Sequence, residues 1–293
     1  MIGPEHETPR PASGAGFAEA VTFAFGDPGQ RLYGSVRLGL VPGEPPQASG
    51  LALLLDGEEP AAVDALGGVE LAEADWGALE VGDVRATVEE PLRAWTASWD
   101  GEQAGFELRF EALGPPAELG AGAIADSAAD LHGYEQLCRV RGTARRDGRR
   151  WQLDCLGQRG HQWGAPDWER LALARTVALW REDGEGVALA AVRPDGAAGH
   201  EDELVSAALL GPEAARPIDD ARLSTTLDGE GRQRRAGLEL WVGEEDPVPL
   251  RAAGEAVGGT TLDLGRLRLD CAFFRWRMEG HDGIGRYDVL RRA

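Results

Sequence analysis

Apolar and polar residues alternate with a period of two along much of this chain. Val21, Phe23 and Phe25 alternate with small or polar residues, and a second alternating segment follows at 32–41. Successive side chains of a β-strand point to opposite faces, so this period is typical of strands with one buried face. Glu19 falls on the apolar face of the first segment, which makes it a candidate for a place inside the fold.

Further segments with strand character follow along the chain. They lie at 51–55, 92–99, 106–113, 171–180, 187–192, 204–209, 221–227, 238–242, 265–278 and 286–290. Asp-Gly, a dipeptide favoured in tight hairpin turns, recurs at 56, 100, 147, 183, 195, 228 and 282. The alanine-rich residues 58–80 could hold a helical turn or two, but no convincing amphipathic helix is evident. The pattern therefore predicts an all-β, antiparallel protein.

A hairpin centred on Asp147-Gly148 is the most informative element. A two-residue type I′ turn needs positive φ at both central residues, and Asp-Gly meets this requirement. Counting outward from the turn pairs Arg146 with Arg149 and sets the register of the hairpin. The other predicted pairs are Val140 with Cys155, Cys138 with Gly157, Gln136 with Arg159, and Tyr134 with His161.

The alternation of side chains divides this hairpin into two faces. One face carries Tyr134, Gln136, Cys138, Val140, Trp151, Leu153, Cys155, Arg159, His161 and Trp163. The other is predicted to face solvent and carries Glu135, Arg139, Arg141, Gln152, Asp154, Gln158 and Gln162. The first face becomes polar and aromatic at its open end. Burying polar groups costs free energy unless each finds a partner, whereas a ligand cavity has a use for them.

The length of 293 residues fits one large or two ordinary domains. Residues 1–15 are polar and proline-rich and are predicted to be disordered. We expect an N-terminal β domain at 16–116 and a C-terminal β domain at 132–293. Residues 117–131, mostly small, are predicted to cross between them. Barrels are favoured for both domains because closed sheets leave no long free edges.

The composition excludes several classes of function. The formal net charge is −20, and all 30 basic residues are arginine, since the chain contains no lysine. An acidic surface repels phosphate backbones, so we expect no nucleic-acid partner. Without lysine there is no P-loop, Schiff-base or PLP chemistry. The N-terminus lacks the apolar core of a signal peptide, and no segment approaches the ~18 apolar residues of a membrane helix. A cytoplasmic protein with no integral membrane segment is expected.

Cysteine and histidine usage gives no sign of a metal or a disulfide scaffold. Cys138, Cys155 and Cys271 are an odd, low number, which fits a reducing compartment and buried free thiols. The five histidines show no ligand spacing, and neither a metal nor another cofactor is expected. Common enzyme signatures such as G-x-S-x-G, H-E-x-x-H and C-x-x-C are also missing.

The open end of the hairpin holds the candidate site. His161, Asp167 and Trp163 are the candidate catalytic residues. The candidate ligand-binding residues are Tyr134, Gln136, Arg159, Trp168, Glu19 and His132. One interpretation is that the tryptophans are core aromatics and that His161 and Asp167 form a satisfied buried pair. The other is a ligand site, which the shared face with Tyr134 and Gln136 favours. Asp167 follows Pro166 in a bend, so its direction does not follow from strand alternation.

The hairpin also resembles a known superfamily. The relevant pieces are Tyr134-Glu135-Gln136, the run Gly157-Gln158-Arg159-Gly160-His161-Gln162-Trp163-Gly164, and Asp167-Trp168. The segments 23–40 and 106–115 add to the likeness. In these pieces the chain resembles the two-domain lipocalin-like (calycin) superfamily of carotenoid 1,2-hydratase (hydroxyneurosporene synthase) and the AttH-type proteins. The resemblance implies two calycin-type barrels or sandwiches, with a largely apolar pocket near their junction. It also places His161 and Trp163 in the proposed hydratase site.

Three functions remain open. The first is a cofactor-independent enzyme that uses acid-initiated hydration, isomerisation or cyclisation on an isoprenoid- or polyketide-like substrate. A buried acid would protonate an alkene, and aromatic faces would stabilise the cation. The second is a non-catalytic carrier of a hydrophobic small molecule. The third is an interaction module whose interior is packed shut. The oligomeric state does not follow from the sequence.

Overall fold

The computed structural model describes residues 2–57, 60–120, 122–197, 199, 202–243 and 248–293. Strands make up most of these residues, so the predicted all-β fold is confirmed. No α-helix occurs within these ranges, and a short 3-10 helix forms at Pro4–Glu7. No helix in them has the length and hydropathy needed to span a bilayer.

The first antiparallel sheet contains eleven strands within the described part of the chain. Its strands are β1 (Ala18–Asp27), β2 (Leu32–Val41), β3 (Gln47–Asp56), β4 (Ala62–Glu70), β5 (Ala78–Val81), β6 (Val84–Glu90), β7 (Ala94–Asp100), β8 (Ala104–Ala112), β9 (Ala117–Leu119), β10 (His132–Arg146) and β11 (Arg149–Gly164). They are ordered β4-β3-β2-β1-β11-β10-β8-β7-β6-β5, and β9 pairs with the open end of β10. β3 also contacts β5 and β6 across the interior, so the sheet curls into a nearly closed barrel.

The second antiparallel sheet has nine strands among the described residues. Its strands are β12 (Leu171–Arg181), β13 (Gly186–Pro194), β14 (Leu204–Leu210), β15 (Arg216–Ile218), β16 (Asp220–Leu227), β17 (Gln233–Trp241), β18 (Leu250–Asp263), β19 (Leu267–Met278) and β20 (His281–Arg292). They are ordered β15-β14-β13-β12-β20-β19-β18-β17-β16. β14 and β16 also contact each other, so this sheet is a nearly closed barrel as well. The expectation of two consecutive lipocalin-like barrels is confirmed.

The register predicted for the central hairpin is confirmed at every pair that was named. Arg146 lies opposite Arg149, and Tyr134 lies opposite His161. Asp147 and Gly148 have φ values of 49° and 79°, the left-handed conformation that a type I′ turn requires. The other Asp-Gly pairs fall between strands or at the end of a strand, except Asp282-Gly283. That pair lies inside β20, because the turn before β20 is formed by residues 279–280, which both have positive φ.

The sheets divide the chain at a different place from the one predicted. β11 pairs with β1 over nine residue pairs, from Ala18 with Gly164 to Gly26 with Leu156. The hairpin at 132–164 therefore completes the first barrel, although the sequence had placed it in the second domain. The passage between the sheets is the short segment after Gly164. The predicted crossover at 117–131 instead contains β9, which also contacts β13 and β14.

Two further predictions about local structure were wrong. The lead-in at 1–15 was predicted to be disordered, but residues 4–7 form the 3-10 helix and Glu7 is 5% exposed. Within 58–80, where helical turns were considered, Ala62–Glu70 forms strand β4. β4 lies at the edge of the sheet and pairs with the preceding strand, β3, and this pairing overrides the weak local preference of the alanines.

The two barrels pack through the outer faces of their central strands. Tyr33 stacks on Phe273 with ring centroids 5.8 Å apart, and Leu137 belongs to the same buried cluster as Trp180. This packing corrects the prediction that one hairpin face is in solvent. Glu135 and Gln158, at the open end of that face, are 3% and 2% exposed. The second barrel covers them, whereas the part of that face near the turn is in water.

Candidate functional site

The interior of the first barrel is apolar near the Asp147-Gly148 turn and polar at the opposite end. Phe23, Phe25, Phe106 and Phe110 fill the apolar part, together with buried Cys138 and Cys155. All three cysteines of the chain are buried and free, as predicted. The polar end carries four buried ionisable side chains, Glu7, Glu19, Arg159 and His161. These four side chains form the core of the candidate site.

Glu19 and His161 form a buried pair across β1 and β11. His161 Nε2 lies 3.2 Å from Glu19 Oε2, and their side chains are 0% and 1% exposed. The carboxylate also accepts a hydrogen bond from the backbone N–H of Arg10 at 2.8 Å. Since a carboxylate can only accept hydrogen bonds, Nε2 carries the proton and donates a hydrogen bond to Glu19. His161 Nδ1 is buried and has no hydrogen-bond partner among the described residues. It is the free acceptor of the site.

Glu7 is held by three donors from different strands. Arg159 Nη2 lies 2.6 Å from Glu7 Oε1, and Tyr134 donates its hydroxyl hydrogen to the same oxygen. Trp95 Nε1 donates to Glu7 Oε2 at 2.6 Å. Arg159 also donates to the Tyr134 oxygen at 3.0 Å and lies 4.2 Å from the centre of the Trp95 ring. Both carboxylate oxygens are therefore satisfied by groups of the barrel wall.

Burial sets the protonation states of these groups. Burial lowers the pKa of His161, and the hydrogen bond with Glu19 offsets this only in part, so the imidazole is neutral at pH 7. Burial raises the pKa of Tyr134 above its usual range, and the phenol keeps its proton. Burial alone would lower the pKa of Arg159, but Tyr134 and Glu7 raise it, so the guanidinium stays charged.

A small cavity lies between these polar groups and the apolar wall. It has about 10 Å³ open to the centre of a water molecule, room for about one water. Its lining is Glu7, Val21, Phe23, Trp76, Ala86, Thr87, Val88, Trp95, Arg159 and His161. Six of these ten side chains are aliphatic or aromatic, and Glu7, Thr87, Arg159 and His161 supply the polar groups. Glu7 and Arg10 bring part of the N-terminal segment to this end of the barrel, an arrangement that we call the closed state.

Trp163 and His132 lie at the rim of the site. The His132 ring stacks on Trp163 with centroids 6.2 Å apart, and His132 Nε2 is 3.2 Å from Asp130. The Arg10 guanidinium also lies over the Trp163 ring, 3.6 Å from its centroid. Trp163 is half-buried, while its neighbour His161 is enclosed. The rim therefore places aromatic groups between the site and solvent.

Three predicted site residues do not face the cavity: two lie outside the barrel end, and one is hydrogen-bonded to backbone carbonyls. Asp167 is exposed and accepts a hydrogen bond from the Glu169 N–H, because the chain turns away from the barrel after Gly164. Trp168 packs with the cluster that includes Ile124 and Leu171. Gln136 is buried, but its amide donates to the carbonyls of Leu92 and Gly114. Proximity in sequence to His161 therefore did not bring Asp167 and Trp168 into the site.

Four residues of the site were not predicted from the sequence: Glu7, Arg10, Trp76 and Trp95. Trp95 had a usable signal, since it alternates with Ala97 and Trp99 on the inward face of a predicted strand. Trp76 lies in an alanine-rich stretch with no regular pattern, although its ring packs edge-on at 5.3 Å from His161. Glu7 and Arg10 lie in a proline-rich lead-in where no pattern indicates burial. The part of the chain that the structure describes shows no group of three or more metal-ligating side chains.

Comparison with solved structures shows the same fold in proteins of very different sequence. An AttH-like protein of Nitrosomonas europaea superposes with a TM-score of 0.69 at 12% identity, covering 94% of this chain and 92% of that chain. Kievitone hydratase of Nectria haematococca gives 0.62 at 11% identity, with 94% and 89% coverage. CghA, in complex with Sch210972, gives 0.66 at 15% identity, with 94% and 89% coverage.

These structural matches confirm the predicted likeness in fold to AttH-type proteins, with two consecutive lipocalin-like barrels. At such low identity they show the shared fold alone. No curated protein sequence matches the chain. The family described as a domain of unknown function, DUF7064, matches residues 3–293. The chain belongs to this DUF7064 family.

Proposed function

We propose that this protein is an enzyme that acts on a hydrophobic small molecule inside the first barrel, with His161 moving the proton. The observation that carries the proposal is the buried Nδ1 atom of His161, which has no partner, on a side chain that lines the cavity. A buried ring nitrogen without a partner costs free energy in a purely structural core. A proton-transfer site offers a use for that atom.

The chemistry we propose is acid-initiated. Because burial lowers the pKa of His161, its protonated form is a stronger acid than an imidazolium in water. That form, held by Glu19, would pass the Nδ1 proton to one carbon of a substrate double bond. Water would attack the resulting cation and return a proton to Nδ1, which completes a hydration. Proton loss from a neighbouring carbon to Nδ1 would give isomerisation. Attack by a second double bond would form a ring and a new cation, and loss of a proton from that cation to Nδ1 would complete a cyclisation.

The surrounding aromatic rings suit such a cation. Trp76, Tyr134 and Trp163 have ring centroids 5.3, 5.8 and 5.6 Å from that of His161. An aromatic face stabilises a nearby cation by roughly 0.5–2 kcal/mol. The proposed proton transfers require no cofactor. The fold shared with kievitone hydratase supports hydration by analogy, and the three free, buried cysteines support a reducing, cytoplasmic location.

The test is product analysis. The protein is incubated with isoprenoid and polyketide-like alkenes in ¹⁸O-labelled water, and extracts are examined by mass spectrometry. We expect a product that has gained labelled water, or an isomer, with wild-type protein and with Asp167→Asn. His161→Asn should give none while its circular dichroism and melting stay close to wild type. A tightly bound ligand that is always recovered unchanged would assign the protein as a carrier instead.

A further inference from the structure

A carboxylate-binding site is built into the wall of the first barrel. Its donors are Trp95 on β7, Tyr134 on β10 and Arg159 on β11, so each is fixed by a paired strand. Arg159 and Tyr134 are 1% and 0% exposed, and Trp95 is also 0% exposed. An arginine this deeply buried needs an anion beside it, because an unpaired buried charge costs several kcal/mol. In the closed state Glu7 supplies that anion.

The segment that delivers Glu7 is attached to the barrel by few contacts. We call residues 3–10 the N-terminal cap. It pairs with no strand among the described residues. Of the backbone hydrogen bonds found in this part of the chain, one leaves the cap, from Arg10 N–H to Glu19. Within the described residues, the Glu7 carboxylate, the Arg10 stack on Trp163 and the His6 ring near Trp163 also attach it. Such a segment can leave without disturbing a sheet.

The second barrel shows the contrasting arrangement. Its buried Arg175 pairs with Glu203, which directly precedes β14, and also donates to Thr225 and to the Leu223 carbonyl. There the acidic partner is anchored next to a strand of the same sheet. The two described pairs therefore differ. In the first barrel the acidic partner of the arginine comes from a terminal segment outside the sheet, and in the second barrel it does not. The first pair is therefore the exchangeable one.

We propose that Arg159, Tyr134 and Trp95 bind the carboxylate of a hydrophobic acid, and that Glu7 occupies this position until such a ligand displaces the N-terminal cap. The ligand class follows from the lining: three donors serve the two oxygens of one carboxylate, and Val21, Phe23, Ala86 and Val88 continue as an apolar wall. The carboxylate site depends on the proposed function in one respect, the position of the apolar part of the ligand beside His161. It adds a feature that the proposed function leaves open, an acidic group on the substrate or ligand.

The test measures binding without turnover. Binding of cis-parinaric acid, a fluorescent polyene acid, is compared with that of its methyl ester in the full chain. Glu7→Gln keeps the size of the side chain and removes its charge, so the cap no longer competes as an anion. If the wild-type cap is closed at least nine-tenths of the time, the acid should bind roughly tenfold tighter or more to Glu7→Gln. The ester, which cannot pair with Arg159, should gain much less than the acid.

Matched variants decide between outcomes. Glu5 lies on the same 3-10 helix with its side chain 73% exposed, so Glu5→Gln should bind the acid like wild type. Adding Arg159→Met to Glu7→Gln should abolish the gain. If Glu7→Gln fails to fold, Glu7→Asp withdraws the carboxylate by one methylene and should show the same direction. Equal gains for acid and ester, or no gain for the acid in a folded variant, would overturn the inference. The proposed role of His161 is tested separately, by product formation in the His161→Asn variant.

Discussion

His161 Nε2 lies 3.2 Å from Glu19 Oε2, although 142 residues separate the two along the chain. The contact exists because β1 and β11 are neighbours in the first sheet, where Val21 lies opposite His161 and Glu19 opposite Trp163. Both side chains point into the barrel, so water does not screen their interaction. The pair holds His161 in one tautomer and leaves Nδ1 as the atom that can exchange a proton.

The Glu19–His161 pair makes the pH dependence of activity predictable. The proposed acid is protonated His161, whose pKa burial lowers, so kcat/KM should rise as pH falls below 6.5. Glu19 raises that pKa, so Glu19→Gln should move the midpoint to still lower pH and reduce activity at pH 7. Initial rates measured across pH 4.5–9 check this. The exposed Glu107→Gln should leave the profile unchanged, and a Glu19→Gln profile identical to wild type would contradict the proposed role.

Removing the buried arginine should destabilise the fold strongly. With the N-terminal cap closed, Arg159→Met leaves the Glu7 carboxylate near the barrel interior without its cation, which costs about 3–5 kcal/mol, and release of the cap into water lowers this loss. Arg139→Met breaks the exposed pair with Asp154 and should cost about 1 kcal/mol or less. Urea unfolding measures both free energies. The double variant Glu7→Gln/Arg159→Met should recover part of the loss, and strict additivity would argue against direct coupling.

Glu135, buried between the barrels, should make stability fall as pH rises. Burial raises its pKa from 4.5 to about 7, although Arg286, Arg159 and Arg37 oppose the shift. Between these values the folded protein holds a proton that the unfolded chain has released. Stability is therefore full below pH 4.5 and is lost as pH rises through about 7, by on the order of 3 kcal/mol. Urea unfolding of wild type and Glu135→Gln at pH 5 and pH 8 should show a smaller decrease in the variant. Equal decreases would mean that Glu135 titrates normally.

The hairpin turn should depend on its glycine through backbone conformation alone. Gly148 has φ 79°, and a Cβ placed there meets no atom within 4 Å. Gly148→Ala should therefore cost about 1–2 kcal/mol from the left-handed conformation, without any clash. Gly14 has the same open surroundings and no positive φ, so Gly14→Ala is the matched control and should change the melting temperature little. Equal melting of the two variants would show that the turn tolerates alanine.

The hairpin shows that a sequence can predict strand register and the face of each side chain. The Asp147-Gly148 turn is a local signal, and a period of two then determines the partner and face of every residue out to Tyr134 and His161. Burial of Glu19 also followed from its position among alternating apolar residues. Such inferences succeed because each depends on neighbours within one strand or one turn.

The errors concern contacts between distant segments. Nothing near Glu135 indicates that a second barrel will cover it, and nothing in the proline-rich lead-in indicates that Glu7 will meet Arg159. The pairing of β1 with β11, which moved the hairpin into the first barrel, also depends on which free sheet edges meet. Asp167 lies outside the site for a related reason. Nearness in sequence to His161 does not determine the direction of a side chain after a proline bend.

The β1–β11 pairing has a consequence for synthesis on the ribosome. At about 5–20 residues per second, the 142 residues between Glu19 and His161 take roughly 7–30 seconds to translate. Throughout that interval one edge of β1, with Phe23 and Phe25 on it, has no neighbour. An unpaired strand edge can add a strand from another polypeptide, so β1 carries this exposure until β11 emerges and pairs with it.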